Sequence, residues 1–412
     1  MVSERSQVLI AGGGIAGLEA LLALHDLAGD RVAISLLAPE PDFSYKPLSV
    51  EEPFSSQPPE HRALAPVAEE LGARFVQRGI ERVLTDDHLV ELDDGSRLAY
   101  DVALIGVGGR PRPAFGQALT FRTPEDRWRI AALLKEAAAD PDVRRSVAFV
   151  VPASNTWPLP IYELALMTGR RAAELGLRKL SCTVFTPEAA PLIVFGSVAT
   201  EAVSELLRAR GIAVRAGVRV HEGAAGGLIV TPGDERLEAT DVIALPALEG
   251  PKIAGLPSDE QGFMPIDEYA RVKGVDDVYA AGDGTTFPIK QGGLATQQAD
   301  AAAEHIAARF GADLDPQPFH PVLRGMLLTG EESLSLSHSL AGGEGEGSAS
   351  ADYLWWPPHK VSGRYLAPWL EGRAVHRDPE PPSRPLEVEV ALPTEWHEQP
   401  MALDPHRGPE VD

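Results

Sequence analysis

Cysteine is almost absent from this sequence: Cys182 stands alone among 412 residues. One thiol cannot build a disulfide framework or a thiolate metal cluster within the chain. Basic residues are scarce as well. The 37 Lys and Arg face 60 Asp and Glu, a formal charge of -23. That balance argues against nucleic acid and anionic membrane surfaces as partners, because phosphate binding needs a net basic face. Long hydrophobic runs are missing, and none reaches the roughly 18 residues needed to span a bilayer. The N-terminal MVSERSQVLIAGGGIAG enters a strand with no signal-peptide pattern. A cytoplasmic protein is expected, with no transmembrane anchoring and at most weak peripheral membrane contact. The histidines show no H-x-x-x-H spacing, so no metal site is expected.

Glycine is missing from one stretch where the rest of the chain calls for it. Val150 to Glu163 reads VVPASNTWPLPIYE. The reason to expect glycine there lies at the N-terminus. Gln7 to Ala11 (QVLIA) is a short apolar run suited to a buried parallel strand. Gly12, Gly14 and Gly17 follow as G-x-G-x-x-G, and the helical pattern LEALLALHDLAG comes next. The first glycine permits a tight turn, the second lets the backbone approach a pyrophosphate, and the third lets helix and strand pack closely. The helix N-terminus adds N–H donors and a partial positive charge. RVAISLL reads as the second strand, and Glu40, 23 residues beyond Gly17, stands where an acid normally holds a ribose hydroxyl.

The chain then repeats itself. Gly72 maps onto Gly211 and Leu98 onto Leu237, both at an offset of 139. Val8 maps onto Val147 at the same offset, Leu18-Glu19-Ala20 onto Tyr162-Glu163-Leu164 at 144, and Glu40 onto Glu188 at 148. Two doubly wound units of like construction are expected. The fold class is α/β, with two Rossmann-like units, the second inserted in the first, and a C-terminal cap. The expected boundaries are 1–115 for the first part of the first domain, 116–255 for the second domain and 256–320 for the return to the first. The cap is placed at 321–375, and a proline-rich, polar, disordered tail at 376–412.

These features resemble the two-dinucleotide-domain flavoproteins of the pyridine nucleotide-disulfide oxidoreductase superfamily. FSYKPL and AAGDGTTFPIKQGGLATQQAD are similar to segments of type II NADH dehydrogenases and sulfide:quinone oxidoreductases. The resemblance implies FAD as cofactor. It implies that Gly12, Gly14 and Gly17 lie on the pyrophosphate, Glu40 near the adenosine ribose, and Lys46, Pro47 and Gly108 along the cofactor. Gly282 and Asp283 would meet the ribityl chain, and a helix opening near Leu294 and running through Ala295, Thr296 and Gln297 would aim its N-terminus at the flavin. A helix dipole there suits the negative charge of reduced flavin.

In such relatives the second unit binds NAD(P)H. Here Val151 and Ala153 stand where Gly12 and Gly14 stood, and the loop is five residues longer. Pro152, Pro158 and Pro160 have no N–H to give a phosphate, and Trp157 takes up the space a pyrophosphate needs. Pro158 or Pro160 suits the first helical turn, and Thr156 is a candidate cap. The usual nicotinamide loop is therefore read as replaced; a different phosphate loop built on Ser154, Asn155 and Thr156 is the alternative. Sulfide:quinone oxidoreductases also replace this loop but use paired redox cysteines, which the single Cys182 cannot supply; it is expected to be buried in the strand SCTVF.

Glu163, Lys290 and Gln291 are the candidate catalytic residues. A carboxylate in a desolvated pocket can act as acid or base, and Lys290 and Gln291 precede the flavin-facing helix. After Gly311, PVLRGMLLTG looks like a strand pair, AGGEGEGSASAD like a flexible stretch, and Trp355, Trp356, Tyr365 and Trp369 concentrate aromatic surface. The reading is an FAD-dependent oxidoreductase passing electrons from an unidentified small-molecule donor to a quinone-like acceptor. The alternatives are an NAD(P)H:quinone oxidoreductase with an atypical loop and a non-catalytic flavin-binding protein. The oligomeric state is open, a dimer included.

Overall fold

Two five-stranded parallel sheets carry the chain. The computed structural model describes residues 5–55, 61–154, 156–224, 226–331, 333–339, 348–350, 354–355 and 359–372. Asn155, Trp356, most of AGGEGEGSASAD and the whole expected tail lie outside the described residues. The helices are α1 (Ile15–Ala28), α2 (Leu64–Glu70), α3 (Pro124–Ala139), α4 (Leu159–Glu174), α5 (Ser197–Ala209), α6 (Gly292–Arg309) and α7 (Leu366–Leu370).

The first sheet runs, edge to edge, Val278–Ala280, Val102–Ile105, Ser6–Ala11, Val32–Leu37 and Arg74–Val76. The second runs Leu119–Thr120, Asp241–Ala244, Arg145–Val150, Leu180–Phe185 and Ala213–Arg215. Every neighbouring pair in both sheets is parallel. The order of the four shared strands is the same in the two sheets, as the repeat requires. The fifth differs in origin: the first sheet takes it from far downstream, the second from the short strand just upstream. Equivalent hydrogen bonds recur, Gly12 N–H to Leu37 O at 2.7 Å in one unit and Val151 N–H to Phe185 O at 2.9 Å in the other.

Both central strands are apolar and buried over their last four residues, which suits strands covered on both faces. The helices that follow them are buried on nearly every side, α1 from Ala16 to Leu24 and α4 from Ile161 to Thr168. A helix that is apolar all round belongs in a core. α1 and α6 pack together on the first sheet, and α4 sits on the second beside Leu192 and Phe195. An antiparallel ribbon, Arg110–Arg112 with Ala247–Glu249, joins the two units.

Three expectations need correcting. PVLRGMLLTG holds one strand, Val322–Leu327, whose antiparallel partner is Leu334–Ser339; the chain reverses after Leu327 instead of within the apolar run. α6 opens at Gly292, two residues before Leu294, because the Gln291 side chain accepts the Leu294 N–H at 2.9 Å and caps the helix. Thr156 does not cap α4. Pro158 holds that position, and the Thr156 hydroxyl donates to Pro246 O at 2.7 Å instead.

Candidate functional site

The loop after the first strand is shaped by contact. A Cβ on Gly17 would lie 1.8 Å from Gly12 O, and one on Gly12 would lie 2.3 Å from Gly106 O. Strand, helix and the 102–105 strand end therefore meet at distances only glycine permits. Gly14 is different: nothing lies within 4 Å of where its Cβ would be. The packing glycines hold the turn, and the middle one faces open space. α1 has no side-chain cap and no acid in its first turn, so its positive end is uncompensated. Glu40 is exposed on the rim beyond the second strand, whereas Ala38 at the strand end is buried. Lys46 is exposed and Pro47 half-buried at the start of a short 3-10 turn, Lys46–Glu51.

Asp283 follows the 278–280 strand, and Gly282 before it donates its N–H to Gln298 of α6 at 2.7 Å. Asp283 is half-buried and receives no hydrogen bond from the described residues. Burial pushes its carboxyl up; Lys290 and then Lys46 oppose that. Lys290 is buried over the Phe263 ring at 3.8 Å and donates to Thr285 O. Burial outweighs Asp283 and brings its ammonium down to about 8. Gln291 both caps α6 and donates to Arg324 O at 2.9 Å. Gln297 ties α6 to the same strand through Val322, at 2.9 Å in both directions. Ala295 and Thr296 are buried, and the Thr296 hydroxyl donates to Gly293 O.

The glycine-free loop is closed on itself. Ser154 N–H donates to Pro152 O at 2.9 Å and Thr156 N–H to Ser154 O at 2.7 Å. The Ser154 and Thr156 hydroxyls lie 2.8 Å apart. Trp157 packs edge-on against Phe195, with ring centroids 5.6 Å apart. Downstream, Glu188 occupies the position that Glu40 holds in the first unit, but it is 9% exposed. Its carboxylate accepts the Tyr162 hydroxyl at 2.7 Å and the Thr186 hydroxyl at 2.9 Å. Its other oxygen is buried without a hydrogen-bond partner. Burial brings the carboxyl up to about 7 against those two bonds.

Glu163 is fully buried at the fifth position of α4. Its carboxylate accepts the Leu328 N–H at 2.8 Å and pairs with Lys360 Nζ at 2.6 Å. Burial pushes its carboxyl up, and the Lys360 ammonium opposes this. The next residue, Val361, gives its N–H to the Tyr45 hydroxyl at 2.8 Å and packs on Gly292 at the head of α6. Lys360 was not singled out in the sequence. Its signal was faint: a lysine in the aromatic-rich stretch LWWPPHKVSGRYLAPWL.

A family profile described as pyridine nucleotide-disulphide oxidoreductase matches residues 164–304. The ferredoxin reductase component of chlorobenzene dioxygenase from Cupriavidus sp. (strain PS12) is 27% identical over 343 residues, 74% of this chain and 76% of that one. Demethylphylloquinone reductase from Synechocystis sp. is 26% identical over 375 residues, 82% and 88% of the two chains. The solved sulfide:quinone oxidoreductase of Aquifex aeolicus superposes with a TM-score of 0.73 at 20% identity, covering 84% of this chain and 87% of that one. Residues 164–304 thus match the pyridine nucleotide-disulphide oxidoreductase family, and the chain is similar to flavin-dependent reductases over most of its length. It is an oxidoreductase, and its cofactor is FAD.

The first unit of this oxidoreductase fits that cofactor. Its cradle is open at Gly14 and shut at Gly12 and Gly17, and its helix end is free of acid. The corresponding loop of the second unit, from Val151 to Trp157, holds no glycine. Cys182 is buried, and burial pushes its thiol up to about 12, as befits a small apolar core residue. Among the described residues no helix is long and apolar enough to cross a membrane.

Proposed function

We propose that this FAD-dependent oxidoreductase takes electrons from a donor other than a nicotinamide nucleotide seated in the second unit, and delivers them to a quinone-like acceptor. The spent loop donors carry the first half of the reading. A dinucleotide pyrophosphate needs several N–H groups converging on it. In the replaced loop the Ser154 and Thr156 amides bond within the loop, the prolines have none, and Trp157 packs edge-on against Phe195. The ribose-binding position is taken as well, because Glu188 is bonded to Tyr162 and Thr186.

FAD supplies electron transfer in one- or two-electron steps. In the first unit, Gly12, Gly14, Gly17 and Gly108 would hold its phosphates, Glu40 its ribose, and Gly282 and Asp283 the ribityl chain. The head of α6, with Ala295, Thr296 and Gln297, would supply its dipole to the flavin. At the head of α4, burial favours the neutral form of Glu163 and Lys360 its charged one, a balance that suits a group that takes up and returns a proton. Lys290, at about 8, holds Thr285 and keeps positive charge beside Asp283.

The acceptor half rests on the apolar lining. Phe54, Phe287, Ile289 and Trp355 are half-buried against the second core, and Phe287 and Ile289 lie in the segment just before α6. A planar, apolar acceptor suits such walls, and two of the similar proteins are named for quinones. The test is reoxidation of the chemically reduced protein by a short-chain quinone under argon. Fast reoxidation is expected, slowed at least tenfold by Glu163→Gln with FAD occupancy unchanged. Failure of the quinone to reoxidise the native protein would overturn the acceptor, and unchanged rates in the variant would remove Glu163 from the chemistry.

A further inference from the structure

Glu19 and Glu163 are repeat-related and sit at the fifth position of α1 and α4. Both are fully buried, and both bind the C-terminal segment. Glu163 takes Lys360 from one end of it. Glu19 takes the other end: its two oxygens accept the Tyr365 N–H at 2.9 Å and the Leu366 N–H at 2.7 Å. Gly363 lies so close that a Cβ there would be 2.6 Å from the same carboxylate. Residues 360–366 thus run from the second unit to the first between two equivalent acids.

The acids differ in what balances them. Glu163 has a buried ammonium. Glu19 instead has another acid within hydrogen-bonding reach, Asp300 of α6, whose Oδ1 is buried without a partner. Two carboxylates have no hydrogen to share, so such a contact requires one proton between them. The charged neighbours do not remove that need. Arg364 is bonded to Glu304 at 2.8 Å, and Asp26, Glu304 and the Tyr365 hydroxyl complete the surroundings from α1, α6 and the segment itself.

We propose that residues 360–366 form a proton-gated clasp between the two units: the Glu19–Asp300 acid pair holds it shut while it shares a proton and frees it when that proton is lost. Burial, then the charge on Glu19, raise Asp300 well above an ordinary aspartate. A carboxyl raised in the folded state stabilises below its unfolded value, and that contribution disappears as pH rises through the folded value. The clasp therefore opens on the alkaline side, and the chain regulates access between its own units whichever donor and acceptor it uses.

Hydrogen exchange of the FAD-loaded full chain, followed over 360–370 from pH 6 to 10 and corrected for intrinsic rates, tests this. The opening constant should rise by up to about tenfold per pH unit while the closed form keeps the proton, and level off once the closed form has lost it. Asp300→Asn, whose amide donates permanently to Glu19, should stay protected and flat across the range. Glu19→Gln should be loosened throughout, without the slope. Glu163→Gln should expose the Lys360 end and keep the slope. A flat native profile, or a slope that survives in Asp300→Asn or Glu19→Gln, would overturn the clasp. Should Asp300→Asn not fold, the native profile and Glu19→Gln still decide.

Discussion

Glu188 stands where Glu40 stands in the first unit, but its surroundings differ. Glu40 is exposed, whereas Glu188 is nine-tenths buried and comes up to about 7 from an ordinary 4.5. Because the folded value is the higher one, the native state holds the proton longer than the unfolded chain. Stability contributed below pH 4.5 is therefore lost as pH rises toward 7, and it changes little beyond. Thermal melting across that window should show the fall, and Glu188→Gln should flatten it. An unaltered slope in the variant would place the titration elsewhere. The equivalence of Glu40 and Glu188 was legible from the offset alone. Their opposite environments were not, because burial of Glu188 depends on Tyr162, a residue from the preceding helix. Lys360 was hidden for a like reason: its partner Glu163 is 197 positions away.

Among the elements, α6 shows how polar side chains set a helix in place. Gln291 caps its first turn and reaches Arg324 O, while Gln297 bonds Val322 both ways. The glutamine-rich opening was legible as a helix start. That these glutamines fasten the helix to the strand Val322–Leu327 was not, since the strand's register is set by its pairing with Leu334–Ser339. Gln291→Ala removes a cap and a buried tie, and caps are worth about 1 kcal/mol. A loss of about 1–2 kcal/mol in urea unfolding is expected when the second bond is included. A loss under a few tenths would mean that solvent replaces both bonds. The replaced loop makes the opposite point. Its lack of glycine was plain in the sequence, but the internal bonds of Ser154 and Thr156 emerged only with the fold. Thr156, a plausible cap by residue type, turns instead to Pro246 because the five added residues carry it away from the helix end.

At the scale of the whole molecule, duplication explains most of what could be read in advance. Short apolar strings at drifting offsets define two sheets of one design, and those strings are buried for the same reason in both. The outer strand Leu119–Thr120 and the C-terminal segment were not readable this way, because neither has a counterpart in the repeat. On the proposed reading the two units have diverged in use: the first keeps open space at Gly14, while in the second the Ser154 and Thr156 amides bond within the loop. The measurement that bears most directly on this is anaerobic stopped-flow mixing of the FAD-loaded protein with NADH and with NADPH, followed by flavin absorbance. The oxidised spectrum should persist with either nucleotide at millimolar concentration, while chemical reductant bleaches it. Rapid bleaching by NADH or NADPH would contradict the account.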